Sequence, residues 1–385
     1  MSCVKVYTEL HLIAAQEGLL KNLNFPVNET SFSPAKTRRH IHRKDVIFTI
    51  SKIAYGGVVF FLAHDKEDMD VKNELLSGLT STPKYIPGWY RYDKEGSRLN
   101  DLCLQENENY YFHRCEMNIL KANLKSMCSS DVKNSILVDM GSGNCEKTRL
   151  FIDHLLLNQE KLDFYPIDIS QEFLLDTCRK LSAEYAGRLD IFPIAADYET
   201  GINKLSTCSQ TKVILWFGSI QSLEAADQIR KLQMLKKTMT RDCQLIFSVD
   251  ITQNRESVMK AYSDFHARQL YMNSIWRLIR DENCDVDPDN FEMEVDFIKN
   301  NSADTMSFVQ VLIRAKQANS FTVPTMGITV ALNVGEPLYL HEGPGISHKF
   351  TFQQIQTLIQ KAGLKLADSW VDDEDHVVFC KCKVL

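Results

Sequence analysis

Residues 136–156 read ILVDMGSGNCEKTRLFIDHLL, a short apolar run followed by a G-x-G pair and then by apolar positions at helical spacing. This succession is typical of the first strand, turn and helix of a nucleotide-binding α/β fold. Glycine lets backbone N–H groups approach a ligand because it has no Cβ, and the N-terminus of the following helix is electropositive. Gly141 and Gly143 are therefore candidates for a cofactor-binding turn.

Similar apolar runs recur along the middle of the chain, each followed by a helical pattern. They lie at residues 163–169, 190–196, 212–218 and 244–250. Strands that alternate with helices predict an α/β fold with a doubly wound, Rossmann-like parallel sheet. Residues 350–385 instead read as helix, strand, acidic turn and strand, which predicts an antiparallel hairpin that closes the sheet.

The composition excludes some classes of protein. The chain has 385 residues, of which 44% are hydrophobic, and a net charge of −6. This charge argues against a general nucleic-acid binder, which needs a basic face to neutralise phosphates. The 11 cysteines include no CxxC pair, so we expect free, mostly buried thiols in a reducing compartment. We expect no signal peptide, because the first residues show no basic segment followed by a long apolar one. The longest apolar run near the start, at residues 53–63, is too short to span a bilayer. We expect a soluble, cytoplasmic monomer.

The residue at position 146 helps to identify the nucleotide. A dinucleotide-binding turn has a third glycine there, but this chain has Glu146, which would repel a pyrophosphate. S-adenosylmethionine (SAM) has no phosphate to repel. Asp168 ends the second predicted strand and suits a ribose diol. Asp197 and Tyr198 end the third and suit adenine. Helix capping is the alternative role for Asp168, and a strand-end turn is the alternative for Asp197. The three strand ends together predict a SAM-dependent methyltransferase.

Longer blocks of the sequence carry a resemblance to a known family. They are residues 82–99 (TPKYIPGWYRYDKEGSRL), 110–120 (YYFHRCEMNIL), 137–155 (LVDMGSGNCEKTRLFIDHL), 164–174 (FYPIDISQEFL), 195–199 (AADYE), 260–297 and 346–379. With these blocks, the chain from about residue 75 to its end resembles the histidine-specific SAM-dependent methyltransferase family. Its best-known members trimethylate the α-amino group of histidine in ergothioneine biosynthesis. Fungal relatives N-methylate dimethylallyl-tryptophan and tryptophan.

The resemblance implies a SAM-binding domain with a smaller α+β substrate domain laid over it. The SAM-binding domain would comprise residues 75–251 and 346–385, with residues 75–130 contributing to a lid over the substrate. The insertion at residues 252–345 would form the substrate domain, with a helix at FHARQLYMNSIWRLIRD and strands at MSFVQVLIRAKQ and ITVALNVGEPL. Residues 1–74 stay unassigned.

The resemblance also implies roles for individual side chains. The residues expected to bind SAM are Gly141, Gly143, Lys147, Asp168, Asp197, Tyr198 and, at the SAM carboxylate, Arg114. Tyr110 and Tyr92 would face the substrate, Tyr92 orienting its amine, and Tyr262 would hold its carboxylate. Tyr92 and Tyr262 are therefore the expected catalytic residues. The alternatives are packing for the tyrosines, an exposed first-turn position for Lys147 and an ion pair with Glu116 for Arg114.

Two departures from the family pattern concern the acceptor. In FGSIQSLE, Ser222 stands where the family has an asparagine that anchors the amino acid head. In GPGISHKF, Ser347 remains from the pair that grips the imidazole ring of histidine, but Gly345 replaces the glutamate. Glu342 lies three residues upstream and could substitute for it only if the loop rearranges. Loss of a group that hydrogen-bonds the substrate removes discrimination.

The expected function is methyl transfer from SAM to the α-amino group of an aromatic amino acid, histidine or tryptophan-like, or of a related amine. The sulfonium is already activated, so we expect no metal, and the ten histidines form no ligand pattern. Two alternatives stay open. One is a catalytically silent family member used as a binding or regulatory module, which the changed acceptor loops would suit. The other is a NAD-dependent oxidoreductase, which Glu146 disfavours.

Overall fold

The computed structural model describes residues 53–55, 58–60, 68–128, 134–302, 304–343 and 345–384. Its α-helices are α1 (Asp68–Thr80), α2 (Lys94–Glu106), α3 (Tyr111–Met127), α4 (Glu146–Leu155), α5 (Gln171–Glu184), α6 (Tyr198–Leu205), α7 (Ala225–Thr238), α8 (Arg255–Ser263), α9 (Phe265–Glu282) and α10 (Phe352–Lys361). Its strands are β1 (Ile53–Tyr55), β2 (Val58–Phe60), β3 (Lys84–Tyr85), β4 (Ile136–Met140), β5 (Leu162–Asp168), β6 (Leu189–Ile191), β7 (Ile194–Ala195), β8 (Lys212–Phe217), β9 (Gln244–Asp250), β10 (Phe291–Ile298), β11 (Ser307–Ala315), β12 (Asn319–Val323), β13 (Ile328–Leu332), β14 (Pro337–Tyr339), β15 (Ser347–Lys349), β16 (Leu364–Val371) and β17 (Val377–Val384).

The main sheet has the strand order β1-β2-β6-β5-β4-β8-β9-β17-β16, with β7 paired to β5. Strands β6, β5, β4, β8 and β9 are parallel neighbours, which confirms the doubly wound, Rossmann-like sheet. The chain order reverses at β4, which pairs with β5 on one side and with β8 on the other. Ligands of such sheets bind at this reversal, beyond the carboxyl ends of the strands. The glycine turn follows β4 and therefore lies at that place.

Both faces of the main sheet are covered. Strands β4, β8 and β9 are buried along their whole length, as parallel strands between two layers of helices are. Leu137 and Phe164 point to the face covered by α3, α4 and α5, whereas Val138 and Ile167 point to the face covered by α6, α7 and α10. The alternation along each strand thus divides the apolar residues between two cores.

Both edges of the main sheet are antiparallel. At the C-terminal edge β17 lies between β9 and β16, which confirms the predicted closing hairpin. At the other edge the β1–β2 hairpin is added through a parallel pairing of Val58 with Ile191 in β6. Part of the segment that we left unassigned therefore extends the main sheet, whereas residues 1–52 lie outside the described residues.

A second sheet is built mostly from the predicted insertion. Its order is β10-β11-β14-β3, with β15 also paired to β11, and a separate hairpin joins β12 to β13. The helix and strands predicted within the insertion are confirmed as α9, β11 and β13. The apolar face of this sheet belongs to the same core as α3, α4 and α5. The division into a SAM-binding domain and a substrate domain at residues 252–345 stays our proposal.

No helix among the described residues has the length and apolar content that crossing a membrane requires.

Candidate active site

The glycine turn after β4 needs both of its glycines for conformational reasons. Gly141 and Gly143 have φ angles of +77° and +51°, in the left-handed region that L-residues with a Cβ rarely adopt. A Cβ at Gly141 would also lie 2.9 Å from the Tyr198 hydroxyl and 3.0 Å from Ser219 Oγ. A Cβ at Gly143, in contrast, would meet no other atom within 4 Å. The turn therefore packs tightly on β8 and α6 and leaves the position at Gly143 open for a ligand.

Asp168 joins this turn to the end of β5. Its Oδ2 accepts a hydrogen bond from Gly143 N at 2.9 Å, and its Oδ1 accepts one from Ser170 N at 2.9 Å. Burial raises the pKa of Asp168, and the bonds from Ser170 and Gly143 oppose that shift. Each carboxylate oxygen has a second lone pair, so the side chain can also accept from two ribose hydroxyls. The predicted ribose role and a structural role are thus compatible.

An acidic rim, defined as Asp101, Glu146 and Asp168, surrounds the glycine turn. Burial raises the pKa of Asp101 to about 6, and the charges of Glu146 and Asp168 contribute to the rise. Glu146 is the first residue of α4 and lies 3.4 Å from His113 Nε2. A rim of carboxylates favours a cationic ligand such as a sulfonium and disfavours a pyrophosphate. Sequence reasoning included Glu146 and Asp168 but missed Asp101, which lies on α2.

Asp197 and Tyr198 border the turn at the start of α6. Asp197 is the N-cap of α6: its carboxylate accepts from Thr200 N at 3.0 Å and from Thr200 Oγ1 at 3.2 Å. Asp197 thus has the structural role at the strand end that we considered as its alternative. Its contact with adenine stays a prediction. Tyr198 packs on Trp216 with ring centroids 5.0 Å apart, and its hydroxyl lies beside Gly141. This position suits the predicted contact with the ring of the nucleoside.

Lys147 and Arg114 have partners within the chain. Lys147 Nζ donates to Glu116 Oε2 at 2.6 Å, and Glu116 is 1% exposed. Ser248 Oγ donates to the other oxygen of Glu116 at 2.5 Å. Arg114 is exposed and donates to the Glu108 carbonyl at 3.1 Å, so the pairing we considered for Arg114 is instead made by Lys147. Contacts of Lys147 and Arg114 with SAM stay predictions.

A buried polar cluster lies beyond the end of β9. The cluster consists of Lys349, Asp250, Tyr262, Ser347 and Tyr111. Lys349 Nζ donates to Asp250 Oδ2 at 2.6 Å, to the Tyr262 hydroxyl at 2.8 Å and to Ser347 Oγ at 3.1 Å. The Tyr262 hydroxyl donates to Ser347 at 3.0 Å, and the Tyr111 hydroxyl donates to Asp250 at 2.8 Å. The structure therefore brings the predicted residues Tyr262 and Ser347 together. Sequence reasoning missed Lys349, Asp250 and Tyr111.

Lys349 remains charged within this cluster. Burial by itself would lower the pKa of Lys349, but Asp250 and Tyr262 outweigh burial and raise it. Its three protons go to Asp250, Tyr262 and Ser347. A hydroxyl oxygen that accepts from an ammonium becomes a better donor through its own proton. Tyr262 and Ser347 are therefore prepared to donate to an anionic group such as a carboxylate.

Tyr92 and Tyr110, the two tyrosines predicted to face the substrate, are both partly buried against the core shared by α3, α4 and α5. The rings of Tyr110 and Tyr262 meet edge to face with centroids 6.0 Å apart. Burial raises the pKa of the Tyr92 hydroxyl, and interactions with Tyr262 and Asp168 raise it further. Tyr92 thus keeps its proton at neutral pH, and its contact with the substrate stays a prediction. Burial also raises the pKa of Tyr110.

The backbone around Tyr92 is held by the N-terminus of α2. Asp93 caps α2 by accepting from Gly96 N at 2.7 Å, and Asn273 Nδ2 of α9 donates to the same carboxylate at 2.8 Å. A Cβ at Gly96 would lie 1.7 Å from the Arg91 carbonyl oxygen. The glycine of the KEGS motif is therefore required for this close approach, and α9 fixes the segment that carries Tyr92.

In the FGSIQSLE loop, the side chain that contacts the polar cluster is that of Gln221, next to Ser222. Ser222 is exposed, whereas Gln221 is buried, with 3% of its surface accessible. Gln221 Oε1 accepts from Asp250 N at 2.7 Å, which orients the amide so that its NH₂ group points away from Asp250. An amide therefore reaches the polar cluster from position 221, and the role of Ser222 at the substrate stays a prediction. The glutamine itself, next to Ser222, was the signal that sequence reasoning passed over.

Gly345 also has a steric explanation. A Cβ at this position would lie 2.6 Å from Cδ2 of Phe308 and 2.7 Å from the Val309 carbonyl oxygen. Position 345 therefore has no room for glutamate. Glu342 does not replace it, because its carboxylate accepts from Gly88 N at 2.5 Å on an exposed loop. The aromatic ring of Phe308 thus occupies the neighbourhood of the missing carboxylate.

We expect Lys349→Met to destabilise the protein by about 3–5 kcal/mol, because it leaves the Asp250 carboxylate buried without its cation. The double substitution Lys349→Met/Asp250→Asn removes the uncompensated charge and should recover part of this loss. Urea denaturation of the wild type and both variants measures these differences. Equal stability of the single variant and the wild type would contradict the buried ion pair.

Comparisons with known proteins agree with this geometry. The family described as "histidine-specific methyltransferase, SAM-dependent" matches residues 71–384. The chain is 26% identical over 317 residues to the histidine N-alpha-methyltransferase of Mycobacterium tuberculosis, covering 81% of this chain and 94% of that protein. It is 24% identical over 330 residues to the N-methyltransferase dtpB of Aspergillus flavus, covering 81% of this chain and 88% of that protein.

A shorter match gives a third relative. The chain is 27% identical over 135 residues to the 4-dimethylallyltryptophan N-methyltransferase ifgB of Penicillium roqueforti, covering 35% of this chain and 39% of that protein. The family match extends from α1 to the last strand and so includes the glycine turn, Tyr92 and the polar cluster. This chain belongs to the histidine-specific SAM-dependent methyltransferase family, and SAM is its methyl donor.

Proposed function

We propose that the protein transfers the methyl group of SAM to the α-amino group of an aromatic amino acid whose ring is held by apolar contacts. The observation that carries this proposal is the pair of hydroxyls, Tyr262 and Ser347, that Lys349 binds in the buried polar cluster. This pair offers hydrogen-bond donors for a carboxylate, and the glycine turn at the end of β4 offers a place for SAM. Relatives named for histidine and for dimethylallyltryptophan support an amino acid acceptor.

The chain would hold SAM at the glycine turn, with Asp168 accepting from the ribose and Tyr198 beside the nucleoside. When bound, SAM supplies a methyl group that its sulfonium has already activated. The protein therefore needs no nucleophile of its own, and its tasks are to orient a neutral amine and to exclude competing water. Tyr92 keeps its proton because its pKa is raised. It consequently acts by accepting an N–H hydrogen bond that aims the amine, and not as a phenolate base.

The carboxylate end of the acceptor would bind at the polar cluster. In the absence of an acceptor, the Tyr262 proton is donated to Ser347. A bound carboxylate replaces Ser347 as the partner of that proton, while Lys349 continues to donate to both hydroxyl oxygens. The Gln221 NH₂ group, turned away from Asp250, provides a further donor. An amide at this position takes the part that sequence reasoning had given to Ser222.

The ring end of the acceptor would meet apolar groups. Phe308 lies where a glutamate side chain would begin, and its ring meets that of His348 at a centroid distance of 6.4 Å. Burial lowers the pKa of His348, so its imidazole is neutral at pH 7. A site without a carboxylate for the ring N–H loses its preference for imidazole. We therefore place tryptophan-like acceptors ahead of histidine.

The acceptor class is tested by incubating the protein with SAM and histidine, tryptophan, tyrosine or their decarboxylated amines, followed by mass spectrometry. We expect whole methyl units on an aromatic amino acid, more on tryptophan than on histidine, and less on each amine because it lacks the carboxylate. Methylation of none of the six would leave the silent binding module as the better explanation.

The NAD-dependent oxidoreductase is tested by comparing the thermal shift of the protein with SAM and with NAD. The acidic rim predicts that SAM raises the melting temperature of the protein and that NAD does not.

Tyr262→Phe should weaken acceptor affinity by about tenfold, because it removes one hydrogen bond to a charged group worth about 1.5 kcal/mol or more. SAM affinity should stay unchanged. Asp168→Ala is the complementary variant on the SAM side. It should abolish SAM binding while leaving the polar cluster intact. Isothermal titration with each ligand separates the two effects. Parallel loss of both affinities in Tyr262→Phe would argue against its assignment to the carboxylate.

Gln221→Glu should raise the KM for the acceptor by about tenfold or more, because a carboxylate in place of the NH₂ group repels the acceptor carboxylate. The remaining oxygen can still accept from Asp250 N, but the new carboxylate is buried, so thermal denaturation of the variant must first show that it is folded. Ser222→Ala, one residue away and exposed, is the matched control and should behave as the wild type. The opposite result, with Ser222→Ala impaired and Gln221→Glu active, would return the role to Ser222.

A further inference from the structure

Three potential metal ligands converge on the far side of Tyr111 from the polar cluster. Cys115 lies on α3, and Asp372 and His376 lie in the turn between β16 and β17. One ligand atom from each of the three, a thiol sulfur, a carboxylate oxygen and an imidazole nitrogen, all lie within 4.8 Å of one another. Cys115 and His376 are buried. The two segments are distant in the sequence, which explains why no ligand spacing is visible there.

His376 gives an independent indication of a missing partner. It is 8% exposed, and its Nδ1 is buried without a hydrogen bond among the described residues. Asp372 Oδ2 lies 3.6 Å and Glu374 Oε2 3.2 Å from this nitrogen, within reach for an ion pair but without hydrogen-bond geometry. A buried ring nitrogen that faces two carboxylates and a thiol is poorly satisfied by the protein alone.

The arrangement of Asp372 is consistent with this indication. Its Oδ1 accepts from His376 N at 2.8 Å and from Val377 N at 2.5 Å, so this oxygen holds the turn in shape. Its Oδ2 accepts from Glu374 N at 3.2 Å and retains a lone pair on the side of His376. The carboxylate is thus fixed by the backbone and directs its second oxygen towards the ring nitrogen.

We propose that Cys115, Asp372 and His376 form a zinc-binding site. A thiolate, an imidazole and a carboxylate are ligands that Zn²⁺ accepts together in tetrahedral sites, whereas Ca²⁺ and Mg²⁺ require oxygen ligands. Glu374 is the fourth donor within reach, since its carboxylate already lies beside Nδ1. The site would bind the metal with loss of the thiol proton to solvent.

The position of the site suggests a clamp rather than a catalytic centre. Cys115 and Tyr111 lie one turn apart on α3, and the Tyr111 ring stacks on His376 at a centroid distance of 4.6 Å. The Tyr111 hydroxyl in turn donates to Asp250 in the polar cluster. A metal would therefore tie α3 to the closing hairpin and hold Tyr111 in place behind the acceptor site. Metal binding itself does not depend on the proposed acceptor.

The test measures zinc on the full chain. The protein is stripped with a chelator under reducing conditions, reloaded with Zn²⁺, desalted and analysed by inductively coupled plasma mass spectrometry. We expect about one zinc per chain in the wild type and a loss of at least tenfold in affinity, by competition with a chromophoric chelator, in Cys115→Ser and His376→Gln. Cys103→Ser, a buried cysteine outside the cluster, is the control and should bind as the wild type does.

Cobalt substitution distinguishes this site from adventitious binding. Co²⁺ bound by a thiolate gives an intense charge-transfer band, which should be present in the wild type and absent in Cys115→Ser. The wild-type spectrum decides the question even where a variant fails to fold. No retained zinc in the reloaded wild type, or zinc binding unaffected by both substitutions, would overturn the proposal. The cluster would then be a thiol beside a histidine–carboxylate ion pair.

Discussion

The buried ion pair between Lys349 and Asp250 is the interaction on which the acceptor site depends. Both side chains are fully buried, and charges in that position persist only when each is paired and hydrogen-bonded. Asp250 ends β9 of the main sheet, and Lys349 ends β15 of the second sheet. Phe350 N also donates to the Asp250 carbonyl at 2.8 Å. The pair thus fixes the relative position of the two sheets at the proposed acceptor site.

The residues predicted to bind SAM and the methyl acceptor come from many elements, and the ion pair helps to hold these elements together. The glycine turn and Asp168 are placed by β4 and β5, and Tyr262 by α8. Tyr92 is placed by the capped start of α2, which α9 holds through Asn273. Methyl transfer requires alignment of two reactants, so small displacements of either sheet would be costly. A rigid ionic contact between the sheets gives that alignment without a covalent link.

Sequence patterns were sufficient for the main sheet because buried parallel strands read as apolar runs and the turn needs glycine at Gly141. They were insufficient for the polar cluster, because Lys349 and Asp250 are far apart in the sequence and are brought into contact only where the ends of β9 and β15 meet. Lys147 pairs with Glu116, a partner that the sequence alone does not indicate, and its contact with SAM stays a prediction. The contact between Gln221 and Asp250 was missed for a similar reason, since the letters of a loop do not show which of its side chains points inwards.

The steric environment of Gly345 also limits which residues this position can hold. A glutamate cannot simply be restored there, because its Cβ would meet the Phe308 ring and the Val309 carbonyl oxygen. The carbonyl belongs to β11, whose pairing with β15 places Ser347 and Lys349. Moving β11 outwards to admit a Cβ would therefore disturb the ion pair itself. The room at position 345 and the position of the polar cluster are thus coupled through one strand, so admitting a larger side chain there requires substitutions at Phe308 and Gly345 together.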